Sequence, residues 1–145
     1  MKTKELRLGD IVTDESGFMM FITAIFKDSV YMDFEGNESD VWEIDEKDLR
    51  PIPLTEKILL KCGFKKEHNL DDTSEFIIDD FSVQRESYKN EKGKFSNQFR
   101  IWVQHLNENG WRKPLSLELK YVHQLQNIYF DLTGKELEIS INDLK

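Results

Sequence analysis

Lys120–Leu137, KYVHQLQNIYFDLTGKEL, is the stretch from which the rest of the chain can be read. Tyr121, Leu125, Ile128 and Leu132 recur at i, i+4, i+7 and i+11, and Val122 and Tyr129 widen the stripe. That period predicts an amphipathic helix. Gly134 suits the left-handed residue that stops a helix, and Leu137, Ile139 and Ile141 then alternate as in a short strand. On this reading His123, Gln124, Gln126, Asn127 and Phe130 point away from the core. A phenylalanine among amides on a solvated face suggests a surface for a partner or for self-association. The alternative is a wider stripe, covered from two sides, that buries Phe130.

Upstream of the helix, Leu115, Leu117 and Leu119 alternate with Ser116 and Glu118 and predict a strand. Phe99 to Leu106 is a clearer one, with Phe99, Ile101 and Val103 on one face and Arg100, Trp102 and Gln104 on the other. Phe76 to Arg85 predicts another strand, interrupted at Asp79-Asp80, where a β-bulge would restore the alternation. The polar run His68 to Ser74 and the Tyr88–Asn97 segment read as loops. Before them, Thr55 is placed to N-cap a short helix that carries Glu56 in its first turn, an apolar Ile58, Leu59 and Cys62 face, and a Gly63 stop. Pro51 and Pro53 make the preceding connector stiff.

The first fifty residues read as short strands at Asp10–Thr13, Phe18–Phe26, Val30–Phe34 and Val41–Ile44, separated by turns. The expected architecture is α+β: a small SH3-like β-barrel over residues 1–53, then an α+β module over 54–145. That second module would hold a helix, a three-stranded meander, a helix and a strand, with both helices on one face of an antiparallel sheet.

Three segments also carry a resemblance: ELRLGDIV (residues 5–12), PIPLTEKILLKCGF (51–64) and KYVHQLQNIYFDLTGKEL (120–137). In these the chain resembles a family of small uncharacterised proteins associated with phage and mobile-element regions of gut-anaerobe genomes. The resemblance implies a fold and a genomic setting. It implies no activity, cofactor or site residue.

Composition narrows the chemistry. The 145 residues are 39% hydrophobic and 33% charged, enough for a core and a well-solvated surface. The start, MKTKELRLGD, lacks an apolar signal core, and no apolar run approaches the roughly 18 residues of a membrane span. With a single cysteine, the expected setting is cytoplasmic. The net charge of −8 is uneven: residues 1–50 hold 13 acids and 6 bases (−7), the remainder 15 and 14 (−1). Arg85 to Lys120 is mildly basic. Such a chain is not expected to hold nucleic acid, because its acidic end repels phosphate.

Catalytic signals are scarce. Cys62 lies near a helix C-terminus, where the dipole opposes thiolate formation. His68, His105 and His123 have no partners at zinc-ligand spacing, with His105 expected at the core edge and His123 exposed. Asp33, Glu35, Asn37 and Asp40 miss the spacing of a calcium loop, and no glycine-rich phosphate loop is present. Catalytic residues, metal and cofactor are therefore all expected to be none. The candidate binding residues are Arg100, Trp102, Gln104, Trp111 and Arg112, with Tyr88 and Phe95 nearby, and His123, Asn127 and Phe130 on the last helix. Trp102 suits stacking or partner anchoring; alternatively it packs between the two modules. The leading expectation is a non-enzymatic accessory protein that binds another protein. The alternatives are a nucleotide-like ligand held by Arg100, Trp102 and Arg112, or a hydrolase using Asp79 and Asp80.

Overall fold

The computed structural model describes residues 1–33, 41–70, 73–89, 92, 95–103 and 113–145, with side chains at all of these except 68–70, 73, 86–89, 95–103, 113, 114 and 116. The fold is mixed α+β, with two antiparallel sheets and two α-helices. The chain does not divide once near residue 53. Residues 1–54 and 121–145 form unit 1, and residues 55–120 form unit 2.

Unit 1 holds β1 (Ile11–Thr13), β2 (Met19–Ile25), β3 (Ser29–Asp33) and β4 (Trp42–Asp45) in the order β1-β2-β3-β4. Hairpin chemistry sets this meander. Gly17, at φ +85, lets the β1–β2 turn close, and the Asp14 carboxylate accepts the N–H groups of Ser16 and Phe18, both at 2.9 Å. Val12, Met20, Ile22, Val30 and Met32 are buried together with Leu6 and Leu49 in one apolar cluster. A register shift between Ile22 and Ala24 bends β2.

After β4, a 3-10 turn (Glu46–Asp48) returns the chain to β1. Thr13 and Arg50 exchange both backbone hydrogen bonds, at 3.0 and 2.8 Å. Two residues further on, Ile52 C=O accepts the Val122 N–H at 2.9 Å and Pro53 bridges Tyr121. No closed barrel is found among the described residues.

The α2 helix (Val122–Thr133) begins at that bridge and lies against β1. Gln124 Oε1 accepts the Tyr121 N–H in a capping box, and Gly134, at φ +71, stops the helix. The buried line is Val122, Leu125, Gln126 and Tyr129, joined by His123. It is rotated from the expected stripe: Ile128 is half-buried and Leu132 is 43% exposed. The strand expected over Leu137–Ile141 is absent; a 3-10 turn (Ile141–Leu144) buries Ile141 and Leu144 instead.

Unit 2 is a five-stranded meander rather than three-stranded. Its strands are β5 (Lys65–Leu70), β6 (Thr73–Ile78), β7 (Phe81–Lys89), β8 (Phe95–Val103) and β9 (Lys113–Leu119), in sequence order across the sheet. The segments read as a His68–Ser74 loop largely pair as β5 and β6. Polar alternation there hid a strand that pairs through its backbone. Asp79-Asp80 is not a bulge but the two-residue turn of the β6–β7 hairpin, with Asp79 left-handed at φ +49. The α1 helix (Glu56–Lys61) is capped by Thr55 Oγ1, which accepts the Ile58 N–H at 3.3 Å. Gly63, at φ +94, ends that turn, Phe64 N–H returns to Leu59 C=O, and the Phe64 ring meets Phe81 edge-on. Glu56 joins α1 to the sheet through Lys66 (2.7 Å) and Arg85 (2.6 Å).

Candidate functional site

The polar side of α2 is occupied from within unit 1. Gln126 Oε1 accepts the Ile11 N–H at 2.9 Å, and its Nε2 donates to Gly9 C=O at 3.1 Å. These groups project from the same edge of β1 that Arg50 bonds two residues further along, so one side-chain amide stands in for the next residue of a neighbouring strand. Asn127 Nδ2 donates to Glu5 C=O at 3.2 Å and to Asp10 Oδ2 at 3.0 Å. The Arg7 guanidinium lies 3.9 Å from the centre of the Phe130 ring, a cation–π contact.

His123, expected to be exposed, is 2% exposed, and its ring stacks on Tyr121 at 5.9 Å and 10°. Burial drives its pKa below the usual imidazole value, which favours the neutral form. This face of α2 holds the N-terminal segment of unit 1. Of the two readings of this helix, the one covered from two sides is the nearer: the Glu5–Ile11 segment supplies the second partner, and Phe130 is half-buried beneath Arg7.

Asp10 belongs to the same assembly. It is 2% exposed, and its Oδ2 also accepts the Arg7 N–H at 2.8 Å. Burial raises its pKa to about 6, against the opposing pull of hydrogen bonds from Arg7 and Asn127 and of the Arg7 charge. The site is built for holding a loop.

The second region singled out from the sequence is β8. Its register sets Trp102 opposite Ser82 and Pro114, and Arg100 opposite Gln84 and Glu118. The side chains of Arg100, Trp102, Phe95 and Tyr88 lie outside the described residues, as do Gln104, Trp111 and Arg112 entirely. His105 and the Glu35, Asn37 and Asp40 positions lie outside them too, as does the His68 side chain. Asp79 and Asp80 sit exposed at the hairpin turn.

A third region emerges from the fold. β4 is the terminal strand of the unit 1 sheet. It pairs with β3 without any register shift, Tyr31 opposite Glu43 and Val30 opposite Ile44. Glu46 N–H bonds Asp28 C=O at 2.8 Å, and antiparallel alternation then turns the peptide groups of Ile44 and Trp42 toward β3. Those of Glu43 and Asp45 face outward.

Beside this strand lies a groove of about 360 Å³ lined by Asp14, Glu15, Glu43, Ile44, Asp45 and Asp48. The β1–β2 turn supplies the first two acids, and the 3-10 turn the last. Trp42 is 49% exposed, and Phe26 and Tyr31 form an exposed edge-on pair 4.8 Å apart on the neighbouring hairpin. Lys47 approaches Asp45 at 3.7 Å, while Arg50 donates to the carbonyls of Lys47 and Leu49. In the sequence these acids show only as part of the −7 net charge of the first fifty residues. A further signal is the strand WEID itself, which has an exposed tryptophan but no lysine or proline.

Among the described residues no group of three or more His, Cys, Asp or Glu is placed to hold a metal ion, and no helix is long and apolar enough to cross a membrane. The chain matches no protein-family profile, no curated protein and no solved structure.

Proposed function

We propose that this is a non-enzymatic accessory protein that works by binding another protein, with unit 1 carrying the contact. The observation behind this reading is the contrast between the two sides of the unit 1 sheet. β1 is bonded along its outer edge by Arg50 and Gln126, whereas β4 ends the sheet beside an acidic groove and exposed aromatic side chains. Exposed aromatic side chains beside clustered charge are a usual feature of docking surfaces. The return of residue 50 to β1 gives the order 50-segment, β1, β2, β3, β4, which supports reading unit 1 as an SH3-like module. On this reading the single cysteine suits a cytoplasmic setting, and the resemblance to phage and mobile-element proteins suggests a mobile-element origin.

The test is a displayed peptide library selected on the full chain and on a Trp42→Ala/Glu43→Lys variant. The expected result is enrichment of ligands that bind the variant at least tenfold more weakly. Absence of enrichment, or binding indifferent to both substitutions, contradicts the reading. Stabilisation of about 2.7 kcal/mol by a nucleotide at a hundred times its Kd would favour a small-ligand protein instead.

A further inference from the structure

We infer that β4 is a template for strand addition and that its occupant is an extended, basic segment of another protein. The inference rests on the partner-binding reading and gives it a mode and a chemistry. An edge strand presents unpaired N–H and C=O groups that can template pairing with another chain, so folded proteins guard such edges with lysine, proline, bulges or a covering element. β1 is covered in this way, by Arg50 and by the Gln126 amide. β4 has none of these among the described residues. Its regular register leaves the outward peptide groups of Glu43 and Asp45 in position for an added strand.

Charge selects the occupant. A second copy of this chain pairing β4 with β4 would bring Glu43 and Asp45 close to their own counterparts, and like charges across a strand pair destabilise it. The groove adds Asp14, Glu15 and Asp48 to the same side. An incoming strand with Lys or Arg at alternate positions would meet carboxylates from both the strand and the groove. Its intervening apolar residues would fall on the side where Trp42 and Ile44 lie. The surface that repels self-association therefore admits a cationic partner.

Asp45 offers a clean test. Its φ is −66°, the value proline requires, and its N–H faces away from β3. Asp45→Pro thus removes an outward donor without breaking the β3–β4 ladder, while Asp45→Asn removes the charge and keeps the donor. The probe is a pool of ten-residue peptides alternating Lys or Arg with Val, Ile or Thr, read by fluorescence polarisation on the full chain. Matched Glu/Asp peptides serve as controls, and amide NMR spectra confirm that each variant is folded.

The expected result is binding of basic but not acidic peptides, weakened a few-fold by Asp45→Asn and at least tenfold further by Asp45→Pro. Equal binding by the two variants overturns strand addition. So does failure of every peptide in the pool. If library ligands still depend on Trp42 and Glu43 while Asp45→Pro has no effect, strand addition fails and the partner-binding reading survives. If no ligand depends on unit 1, both fail. An Asp45→Pro-sensitive dimer in sedimentation would overturn the basic occupant in favour of a second copy.

Discussion

Asp10 shows how a single side chain can carry a fold-level signal that no sequence pattern announces. The LGD turn before β1 reads as an ordinary loop, yet its carboxylate is buried and its pKa raised to about 6. The folded state therefore holds the Asp10 proton more tightly than the unfolded chain does. Its favourable contribution is complete below about pH 4 and is lost as pH rises to about 6. At about 1.36 kcal/mol per pKa unit, the ionised form costs on the order of 3 kcal/mol above that window. Asp10→Asn should match the wild type at pH 4 and exceed it by about 2–3 kcal/mol at pH 8, measured by urea unfolding across pH. Wild-type and variant curves that run parallel would contradict this. Glu46 acts in the opposite sense, since its bonds to Lys2 and Thr3 pull its pKa to about 2 and are lost as the medium becomes strongly acidic. Burial and partners distant in sequence are both tertiary properties, which is why neither shift could be read from residue order.

At the scale of elements, strands and caps were the legible part. The four strands of unit 1, the Thr55 cap, and the Gly63 and Gly134 stops all follow from local chemistry. What escaped was the face of α2. Its buried line includes Gln126 and His123, which any hydropathy pattern assigns to solvent. Gln126 is buried because an amide can pair with a strand edge as another residue would. Gln126→Ala should strip the partners from Ile11 N–H and Gly9 C=O and cost about 2–3 kcal/mol. Gln126→Glu should recover little of this, since a carboxylate can accept from Ile11 but cannot donate to Gly9. A denaturation midpoint unchanged in Gln126→Ala would show that the amide does not hold the edge. The β6–β7 hairpin escaped for a different reason: Asp-Asp is an uncommon pair for a two-residue turn, tolerated because aspartate accepts positive φ.

For the whole molecule, the sequence suggested two modules in series, whereas the chain leaves unit 1 after residue 54 and re-enters it at 121. Contacts across 66 intervening residues cannot be seen in local periodicity. Pro53 and Tyr121 are bridged, so the two ends of the excursion are already close within unit 1. Replacing residues 55–120 by a short Gly/Ser linker should leave a unit 1 that folds, with a dispersed amide spectrum and a slowly exchanging Val122 N–H. A collapsed spectrum would refute the independence of unit 1.

The candidate site was legible only as charge. The −7 of the first fifty residues was visible, but which acids share a groove, and which strand lies at the edge, depends on pairing order. The most direct measurement is amide hydrogen exchange at Glu43 and Asp45 with and without a saturating basic strand peptide. Strand addition predicts fast exchange at both amides in the free protein and strong protection in the complex. Unchanged exchange at Glu43 and Asp45 in a saturated complex would contradict it.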